Sequence, residues 1–511
     1  MIFSCCLTDG LSLDFMGKEY DVIVIGSGIG GLTAALLLAQ QGFKVLVLES
    51  NYLPGGCCSS YWRKGYIFET GATTLMGFDT GHPLALLEQR LGITFSKKRL
   101  DPAMTVWLDG KKIIRPQSFD EWLGIVIETF GNASKQTAFW KKAYELSEFV
   151  WKVSGKNLDF PPDNLTSILQ LAINNSPRDV FKLRYAFRSV YDMVKTYGLD
   201  QDKAFLRFLD EQLLITAQSV ARDTPFLFAA PALCYTNYAN YYMTGGMISL
   251  PFQMIEHLGG WGGDLRLRKK VVKVTPEKNK WHVNTSDGET FITKKVLSNV
   301  PIWNIPDLLD DSHRTHFQKQ ADAITDYWGA FTMGIVINDV LPADFTLHHQ
   351  IILPEGEEIV FCKSKSVFIS ISDREDTFRA PNGERVLALS THVLNPNLWF
   401  HLSKTEYDSR KHTIVDQILK IITDTFPALT AQDIVYYTAS TPVSWQEWIE
   451  RKDGSVGGIP QSMSRPLWKW MGANTPQIGI YLCGDTIYPG QGIPGVTLGG
   501  IIAAKAIAKD L

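Results

Sequence analysis

The chain has 511 residues, a hydrophobic fraction of 45% and a formal net charge of −3 at pH 7. This length suffices for two or more packed lobes, and the nearly neutral charge argues against a nucleic-acid partner. No apolar run approaches the ~20 residues that a helix needs to cross a bilayer, and the seven cysteines lack the repeating spacing of a disulfide framework. The composition therefore favours a large enzyme of a reducing compartment, which we expect to be cytoplasmic.

The first 17 residues do not look like the start of a fold. They lack the basic start and the long apolar core of a secretory signal. Met16 and the two residues after it lead directly into a predicted strand. We therefore expect residues 1–17 to be a disordered leader, of which residues 1–15 are dispensable, with a short targeting tail as the alternative.

The first predicted unit is a strand, a glycine-rich turn, a helix and a second strand within residues 20–50. The apolar run of residues 22–25 is followed at once by the motif G-x-G-x-x-G. Residues 32–40 are rich in Ala and Leu, which favours a helix, and residues 44–48 form a second apolar strand. This order predicts a Rossmann-like dinucleotide-binding unit.

The glycines and the terminal acid of this unit each have a physical role. Gly26 permits the sharp turn out of the strand, Gly28 lets a pyrophosphate approach the backbone, and Gly31 lets the helix pack closely on the sheet. The helix N-terminus offers unpaired N–H groups to the phosphates. Glu49 ends the second strand, where it is placed to accept hydrogen bonds from the adenosine ribose and to repel a 2′-phosphate. The unit thus predicts a dinucleotide other than NADP.

Two further glycine-containing segments follow Glu49. Gly55 and Gly56 permit close backbone approach to a cofactor, and residues 65–72 predict a strand that ends in glycine. The vicinal pair Cys57 and Cys58 is expected to be reduced thiols rather than metal ligands. We expect both segments to form part of the cofactor wall, and we expect no metal site.

Residues 80–235 carry apolar residues at helical spacing, over residues 84–91, 119–130, 137–153 and 177–196. We expect a helical subdomain that packs its own core. The alternative is a substrate tunnel or membrane-facing mouth built from residues 139–151 and 181–195. The second of these segments interleaves basic with aromatic residues, which suits an anionic lipid surface: Lys182, Arg184, Arg188 and Lys195 with Phe181, Tyr185, Phe187 and Tyr191.

The remaining chain predicts a return to the first unit, a second sheet and a glycine-rich end. A helix through residue 257 and strands at 265–274, 280–285 and 296–300 are predicted to rejoin the first unit. The predicted second, substrate-side sheet has strands at 331–337, 367–371 and 385–393, with a helix at 406–426. After a strand at 479–482, a glycine-rich loop at 484–500 leads into a helix at 501–509, so a second helix N-terminus is available to the same long cofactor.

The order of these motifs resembles the FAD-dependent carotenoid desaturase and carotenoid isomerase family, which includes the phytoene desaturases, within the amine-oxidase-like flavoproteins. The resemblance covers residues 18–511 and is carried by VIVIGSGIGGL (22–32), PGG (54–56), GYIFETGA (65–72) and LCGDTIYPGQGIPGVTLGG (482–500). The last motif is the most discriminating, and its form is closer to carotenoid isomerases and related desaturases than to amine oxidases.

The resemblance implies an α/β fold: a Rossmann-like FAD-binding domain, a discontinuous mixed α+β substrate domain and a helical lid. The FAD-binding domain would comprise residues 18–80, 236–305 and 478–511, and the substrate domain residues 81–235 and 306–477. The implied cofactor-binding residues are Gly26, Gly28, Ile29, Gly30, Gly31, Glu49, Ser50, Gly55, Gly56, Cys57, Val272, Gly484, Asp485, Gly495, Val496 and Thr497.

Within that set the resemblance also implies roles. The backbone at Val272 would meet the adenine, Asp485 would bind the ribityl chain or the pyrophosphate, and residues 496–498 would face the pyrimidine end of the flavin. Cys57 departs from the family pattern, in which Arg or Ser often follows the two glycines.

The implied function is FAD-dependent desaturation or cis–trans isomerisation of a long apolar polyene by a peripheral membrane protein, in the cytoplasm or on the plastid or thylakoid side. A retinoid saturase-like or amine-oxidase-like oxidoreductase is the alternative, and a non-catalytic flavin-bearing lipid-binding protein is a second one. No catalytic residue stands out. Glu211 is a candidate cavity acid, and a carboxylate on a helix surface is the favoured reading of it.

Overall fold

A computed structural model describes residues 19–162, 165–466 and 469–511 of the chain. The predicted leader, residues 1–17, lies outside these residues. The strands are β1 (Glu19–Ile25), β2 (Val45–Leu48), β3 (Ser60–Arg63), β4 (Tyr66–Glu69), β5 (Leu75–Met76), β6 (Lys98–Leu100), β7 (Met104–Leu108), β8 (Lys111–Arg115), β9 (Asn240–Tyr242), β10 (Asp264–Arg266), β11 (Val271–Glu277), β12 (Lys280–Thr285), β13 (Thr290–Ser298), β14 (Trp328–Asn338), β15 (His348–Ile352), β16 (Ser366–Ile371), β17 (Glu384–Leu394), β18 (Ile434–Ser440), β19 (Ser455–Val456) and β20 (Ile480–Leu482).

The α-helices are α1 (Ile29–Gln40), α2 (Pro83–Leu91), α3 (Phe119–Phe130), α4 (Ala133–Ser154), α5 (Leu165–Asn174), α6 (Pro177–Lys182), α7 (Val190–Thr196), α8 (Lys203–Ala217), α9 (Phe226–Leu233), α10 (Ser249–Gly260), α11 (Ile305–Leu308), α12 (Asp311–Asp322), α13 (Lys404–Thr425), α14 (Pro442–Ile449) and α15 (Ile493–Asp510).

The first sheet has the order β10-β2-β1-β13-β12-β11, and β20 also pairs with β13. Strands β10, β2, β1, β13 and β20 are parallel, whereas β11 and β12 form an antiparallel extension. Val22, Ile23 and Val24 of β1 are fully buried, because helices α1, α10 and α15 cover one face of the sheet and α11 and α12 the other. A continuous apolar run is what a parallel strand buried on both faces requires.

Helix α15 packs directly against α1 on the same face of this sheet. A side chain at Gly500 would collide with the carbonyl oxygen of Gly30 and with Thr33. The close contact of the two helices therefore joins residues that are far apart in sequence, and it sets the two glycine-rich loops side by side.

The second sheet has the order β18-β14-β17-β16-β15-β7-β8, and β19 also pairs with β14. Helix α13 packs on one face through Ile414, Ile418 and Ile422. Strands β7 and β8 come from residues 104–115, inside the stretch predicted to be helical. The pairing of β7 with β15, and of β8 with β7, corrects that prediction, because the hairpin extends the second sheet instead of joining the helical core.

The helical subdomain has its own core, in which Trp122, Phe139, Trp140, Phe205 and Phe208 are fully buried. The predicted helix over residues 177–196 is divided in the structure into α6, a 3₁₀ turn and α7. The division has a local cause, because Ser176 and Ser189 each form a capping box, with Asp179 and Asp192 respectively, and so each begins a separate helix.

The last helix, in contrast, is longer than predicted. It begins at Ile493, eight residues before the predicted start, so the second part of the glycine-rich segment, residues 493–500, is helical. Pro494 is compatible with the first turn, where a missing N–H group removes no helical hydrogen bond. Apart from these boundaries, the predicted α/β fold with a Rossmann-like unit, a mixed second lobe and a helical cover is confirmed.

Candidate functional site

One cavity of about 840 Å³ runs between the first sheet, the second sheet and the helical subdomain. Most of the predicted cofactor-binding residues line it: Gly26, Gly28, Ile29, Gly30, Glu49, Ser50, Gly55, Gly56, Cys57, Val272, Gly484, Asp485, Gly495 and Val496. Gly31 and Thr497 are not among the lining residues. The part of the cavity bounded by these predicted residues is called the cofactor groove below.

The first glycine-rich loop forms the floor of the cofactor groove. Gly26 has a φ of 92°, which permits the turn out of β1. A side chain at Gly31 would lie 2.6 Å from the carbonyl oxygen of Gly26 and 3.1 Å from Val24, so its absence lets α1 pack tightly on β1. Gly31 therefore shapes the groove from behind its surface.

Asn299 holds this loop from the end of β13 and was not predicted. Its Oδ1 accepts a hydrogen bond of 3.0 Å from the N–H of Gly31. A side chain at Gly28 would come within 2.5 Å of its Nδ2, so the amide occupies the space that the glycine leaves free. A polar residue at the carboxyl end of a central parallel strand was the available signal, since ligands bind at that edge of a sheet.

Glu49 binds the loop directly. Its Oε2 accepts hydrogen bonds from the N–H (2.8 Å) and the hydroxyl (2.7 Å) of Ser27, and its Oε1 accepts one of 2.8 Å from the N–H of Asn51. The carboxylate is 8% exposed and lies on the groove wall. Each carboxylate oxygen has more than one acceptor direction, so contact with a ribose is compatible with these bonds.

The second wall contains Gly55, Gly56 and Cys57. Gly55 and Gly28 form an isolated parallel bridge, which brings the two loops together. Gly55 has a φ of 102°, and a side chain there would collide with Pro251 at 2.7 Å. Burial raises the pKa of the Cys57 thiol, so the thiol is neutral at physiological pH.

The second glycine-rich loop closes the groove. A side chain at Gly30 would lie 3.3 Å from the backbone nitrogen of Gly484 and 3.1 Å from the carbonyl oxygen of Val496, so this loop lies against the first one. The first turn of α15 lines the groove through Ile493, Gly495 and Val496. Thr497 is fully buried, and its hydroxyl has no hydrogen-bond partner among the described residues.

Arg451, which was not predicted, lies beside Asp485 on the groove wall. Its Nη2 is 2.9 Å from Oδ2 of Asp485, its Nη1 donates to Oδ1 at 3.3 Å, and its Nε donates to the carbonyl oxygen of Ser455 at 2.7 Å. Burial alone lowers the pKa of this guanidinium, but the Asp485 carboxylate offsets the effect and holds the pKa above its ordinary value. The sequence analysis did not predict this residue, because it lies two residues after α14 and belongs to no motif.

The residues predicted to bind the adenosine lie at β11 and at the end of β2. Val272 lines the cavity together with Lys269 and Lys270. The side-chain amide of Asn51 donates to the carbonyl oxygen of Trp448 at 2.7 Å, which attaches α14 to the end of β2. The second lobe therefore contributes to both ends of the groove.

Beyond the groove, the same cavity continues into an apolar chamber, defined here as the lining residues of α4, α8, α9, β14, β16 and β17 together with Gln218. They are Val150, Trp151, Ser154, Ile215, Thr216, Ala217, Gln218, Phe228, Pro231, Ala232, Ala330, Thr332, Phe368, Ser390, Thr391 and His392. None of these residues is an acid, a lysine or an arginine. The charged lining residues all lie on the groove side: Glu49, Lys269, Lys270, Asp307, Glu450, Arg451 and Asp485.

His392 is the titratable histidine of the chamber. Its Nε2 is 3.1 Å from the side-chain nitrogen of Gln218. Burial lowers its pKa to about 4, so the imidazole is neutral at physiological pH. The chamber wall therefore carries polar groups but no charge.

Glu211 is buried, and the expectation of a helix-surface carboxylate is wrong. Its Oε2 accepts a hydrogen bond of 2.6 Å from Ser366, and Gln350 donates to its carbonyl oxygen. Burial raises its pKa. The side chain belongs to a polar network between α8 and the second sheet and is absent from the cavity lining.

The groove fits FAD on three observations. The first turns of α1 and α15 both face it, which suits the negatively charged phosphates. Gly56 leaves open space beside Gly28, since a side chain there would find its closest neighbour at 3.8 Å. Arg451 presents a buried Nη2 that makes no aligned hydrogen bond with the described residues.

Comparison with curated proteins places two carotenoid enzymes among the relatives. The chain is 27% identical to the chloroplastic prolycopene isomerase of Daucus carota, over 97% of this chain and 81% of the relative. It is 23% identical to the lycopene-forming phytoene desaturase of Pantoea ananas, over 96% of this chain and 99% of the relative. Among solved structures, an oxidoreductase from Methanosarcina mazei shares the fold, with a TM-score of 0.62 and 16% identity over 95% of this chain and 99% of that chain.

The family model described as "Flavin containing amine oxidoreductase" matches residues 29–508. Together with the carotenoid enzymes, this match confirms the predicted resemblance and the prediction of an FAD-dependent oxidoreductase. Because the match spans almost all of the described residues, the chain belongs to the family of flavin-containing amine oxidoreductases.

Proposed function

We propose that the protein is an FAD-dependent enzyme that desaturates or cis–trans isomerises a long apolar polyene of the carotenoid class. The observation that carries this proposal is the chamber, which is continuous with the cofactor groove and contains no charged side chain. An uncharged, largely apolar wall suits a hydrocarbon, because burying apolar surface is favourable whereas burying an unpaired charge is costly.

The same chamber argues against an amine substrate. An amine is a cation at neutral pH, and its binding in a buried site calls for a carboxylate or a comparable partner. The carboxylates of the cavity lining all belong to the groove, where Asp485 is already paired with Arg451. The names of the carrot and Pantoea relatives point to the same substrate class.

We infer that the predicted cofactor-binding residues and the proposed two-domain division apply to this chain. Glu49 would hold the adenosine ribose, the N-termini of α1 and α15 the phosphates and the flavin ring, and Asp485 the ribityl chain. FAD supplies the electron-accepting or electron-donating ring. The chain contributes the orientation of the polyene beside that ring, the exclusion of water by the chamber wall, and neutral polar groups such as His392 that add no charge.

The test is to incubate the purified protein, anaerobically and with its flavin oxidised or reduced, with cis-configured and partly saturated polyenes, and to resolve the products by chromatography. Isomerised or further desaturated product is expected. Thr332→Glu, which places a charge in the chamber, should abolish conversion while FAD stays bound. Thr413→Glu, on the exposed surface of α13, is the matched control and should leave conversion unchanged. Oxidation of a primary amine without any change in the polyenes would contradict the proposal.

We also propose that the protein docks on a membrane peripherally, through the surface formed by α5, α6 and the 3₁₀ turn after α6. This docking surface exposes Ile173 (82%), Phe181 (67%), Leu169 (63%) and Phe187 (58%). Arg184 lies over the Phe181 ring at 3.7 Å, so cationic and apolar groups are adjacent, as an interfacial segment requires. In the described residues, no helix is both long enough and apolar enough to span a bilayer.

The docking surface lies beside the chamber. Lys182 pairs with Glu145 of α4 at 3.2 Å and lies over Phe149, and the next two residues of α4, Val150 and Trp151, line the chamber. The other predicted membrane segment, residues 139–151, is not part of this proposal, because Phe139 and Trp140 are fully buried in the helical core. A plastid location, as in the name of the carrot relative, is compatible with this proposal.

A further inference from the structure

Arg451 is a cation buried in the wall of the cofactor groove. It is 8% exposed. The other cations of the cavity lining have partners at the rim, since Lys269 pairs with Asp287 and Glu289, and Lys270 pairs with Glu450. A buried guanidinium is costly unless its donors are occupied. Nη2 of Arg451 lies 2.9 Å from Oδ2 of Asp485 but makes no aligned hydrogen bond with the described residues.

The position of Arg451 follows from the contacts around it. Its partner Asp485 comes directly after Gly484, whose backbone lies against Gly30 at the N-terminus of α1. Cys57 lines the same cavity, and the nearby Arg451 guanidinium partly offsets the burial that raises the pKa of its thiol. Cys57 follows Gly56, which borders Gly28. The guanidinium therefore lies where the three glycine-containing segments meet, between the adenosine end of the groove and the start of α15.

A phosphate bound at that junction would need a side-chain cation from outside the three segments. None of the three segments, residues 26–31, 55–57 and 484–485, carries a cation of its own. A dinucleotide pyrophosphate brings two negative charges, which the partial charges of helix N-termini offset only in part. Arginine suits the junction, because its planar fork can hold a carboxylate along one edge and a phosphate oxygen along another.

We propose that Arg451 is the cation that binds the pyrophosphate of FAD, and that Asp485 orients its guanidinium for this purpose. The residue reaches the groove from the segment between α14 and β19, so the second lobe supplies a countercharge that the three glycine-containing segments lack. Nη2 has two N–H groups, so it can donate to a phosphate oxygen while it stays paired with Oδ2 of Asp485.

The test compares the full-length flavoprotein with three variants: Arg451→Gln, Arg451→Lys and Arg385→Gln. Arg385 is the matched control, since it is also buried and bonded to a backbone carbonyl oxygen, that of Ser372, but lies off the cavity lining. FAD release after dilution is followed by the rise in flavin fluorescence, and the midpoint potential of the bound flavin is measured in parallel.

Arg451→Gln should weaken FAD retention about 10- to 100-fold, the usual effect of losing charge-assisted hydrogen bonds. Arg451→Lys should release FAD faster than wild type but more slowly than Arg451→Gln, and Arg385→Gln should match wild type. The midpoint potential should stay unchanged, because the pyrophosphate is remote from the ring.

Three results would overturn the assignment: wild-type FAD retention in folded Arg451→Gln, equal loss of FAD in Arg385→Gln, or a shifted potential with unchanged retention. If Arg451→Gln does not fold, Arg451→Lys decides the matter. Faster release than wild type then supports the proposal, and release at the wild-type rate overturns it.

Discussion

Glu49 performs a task at the residue scale that its motif did not predict. The acid was expected to bind a ribose, yet its carboxylate also accepts three hydrogen bonds from Ser27 and Asn51. It thereby couples the first glycine-rich loop to the end of β2. Loss of the carboxylate would free the loop as well as remove the proposed contact with the ribose.

Glu49→Ala should weaken FAD binding by ~1.5–3 kcal/mol, the usual value of hydrogen bonds to a charged group. Glu49→Gln should also weaken it, because an amide nitrogen cannot accept the bonds that Ser27 donates. The measurement is flavin occupancy at limiting FAD. Glu19→Gln, at the exposed start of β1, is the control and should keep full occupancy. Full occupancy in both Glu49 variants would refute the ribose assignment.

The residues of the site differ in how well a sequence can predict them. The glycines and Glu49 belong to a local motif whose spacing carries its chemistry, so they could be predicted. Asn299 is local to a predicted strand end, but its importance depends on the space left by Gly28 and Gly31. Arg451 could not be predicted, because only the tertiary fold brings the residue after α14 to Asp485.

At the scale of elements, a helix or strand was predictable where its own apolar periodicity was enough to define it. Helix α3 and strand β12 have the predicted bounds. Residues 177–196 misled the prediction, because their apolar spacing continues through two capping boxes that divide the segment. Strands β7 and β8 were missed for another reason: their hairpin joins the sheet through the pairing of β7 with β15, some 240 residues later in the chain.

The proposed docking surface predicts that the protein binds lipid vesicles. The wild-type protein should float with anionic vesicles at low salt, because apolar burial and attraction to the lipid act together. Changing Leu169, Ile173 and Phe181 to Ser should reduce flotation strongly, while FAD stays bound. High salt should release part of the wild-type protein, since charge attraction is screened over roughly 8–10 Å.

A second set of changes tests the charge contribution to flotation: Lys182, Arg184, Arg188 and Lys195 to Glu. Its effect should be smaller than that of the apolar set, because Lys182 is already paired with Glu145. The matched control changes Phe378, Leu398 and Ile478 to Ser, three exposed apolar residues outside the docking surface. Wild-type protein that remains in the soluble fraction at low salt would show that the surface does not dock on lipid.

At the scale of the whole molecule, four buried histidines make the free energy of unfolding depend on pH. Burial lowers the pKa of His82, His348 and His392 to about 4 and that of His349 to about 3. The unfolded chain binds protons near the ordinary value of 6.5, so it takes up more protons than the folded state between pH 6.5 and 4. Stability is therefore full above pH 6.5 and falls as the pH is lowered through that window.

The melting temperature should accordingly drop between pH 6.5 and 4.5, with an upper limit of about 1.4 kcal/mol per histidine for each pH unit. Asp79, Asp210 and Glu211 oppose this trend, because burial raises the pKa of each and the folded state takes up their protons first. A single variant isolates the histidine effect. His392→Gln should have a shallower pH slope than wild type, and the exposed His412→Gln should keep the wild-type slope. Equal slopes in all three proteins would contradict the assignment.

The contact between α1 and α15 has a consequence for how the protein is made. The groove needs residues 26–57 and residues 484–498, and Gly500 must cover Gly30 before the two loops lie together. At a synthesis rate of about 5–20 residues per second, roughly 20–90 s separate the emergence of these two parts from the ribosome. Throughout that time the part of α1 that α15 covers stays exposed on the nascent chain, and added FAD cannot protect it because the binding site is not yet complete. Bound FAD can therefore stabilise the finished chain but not the nascent one.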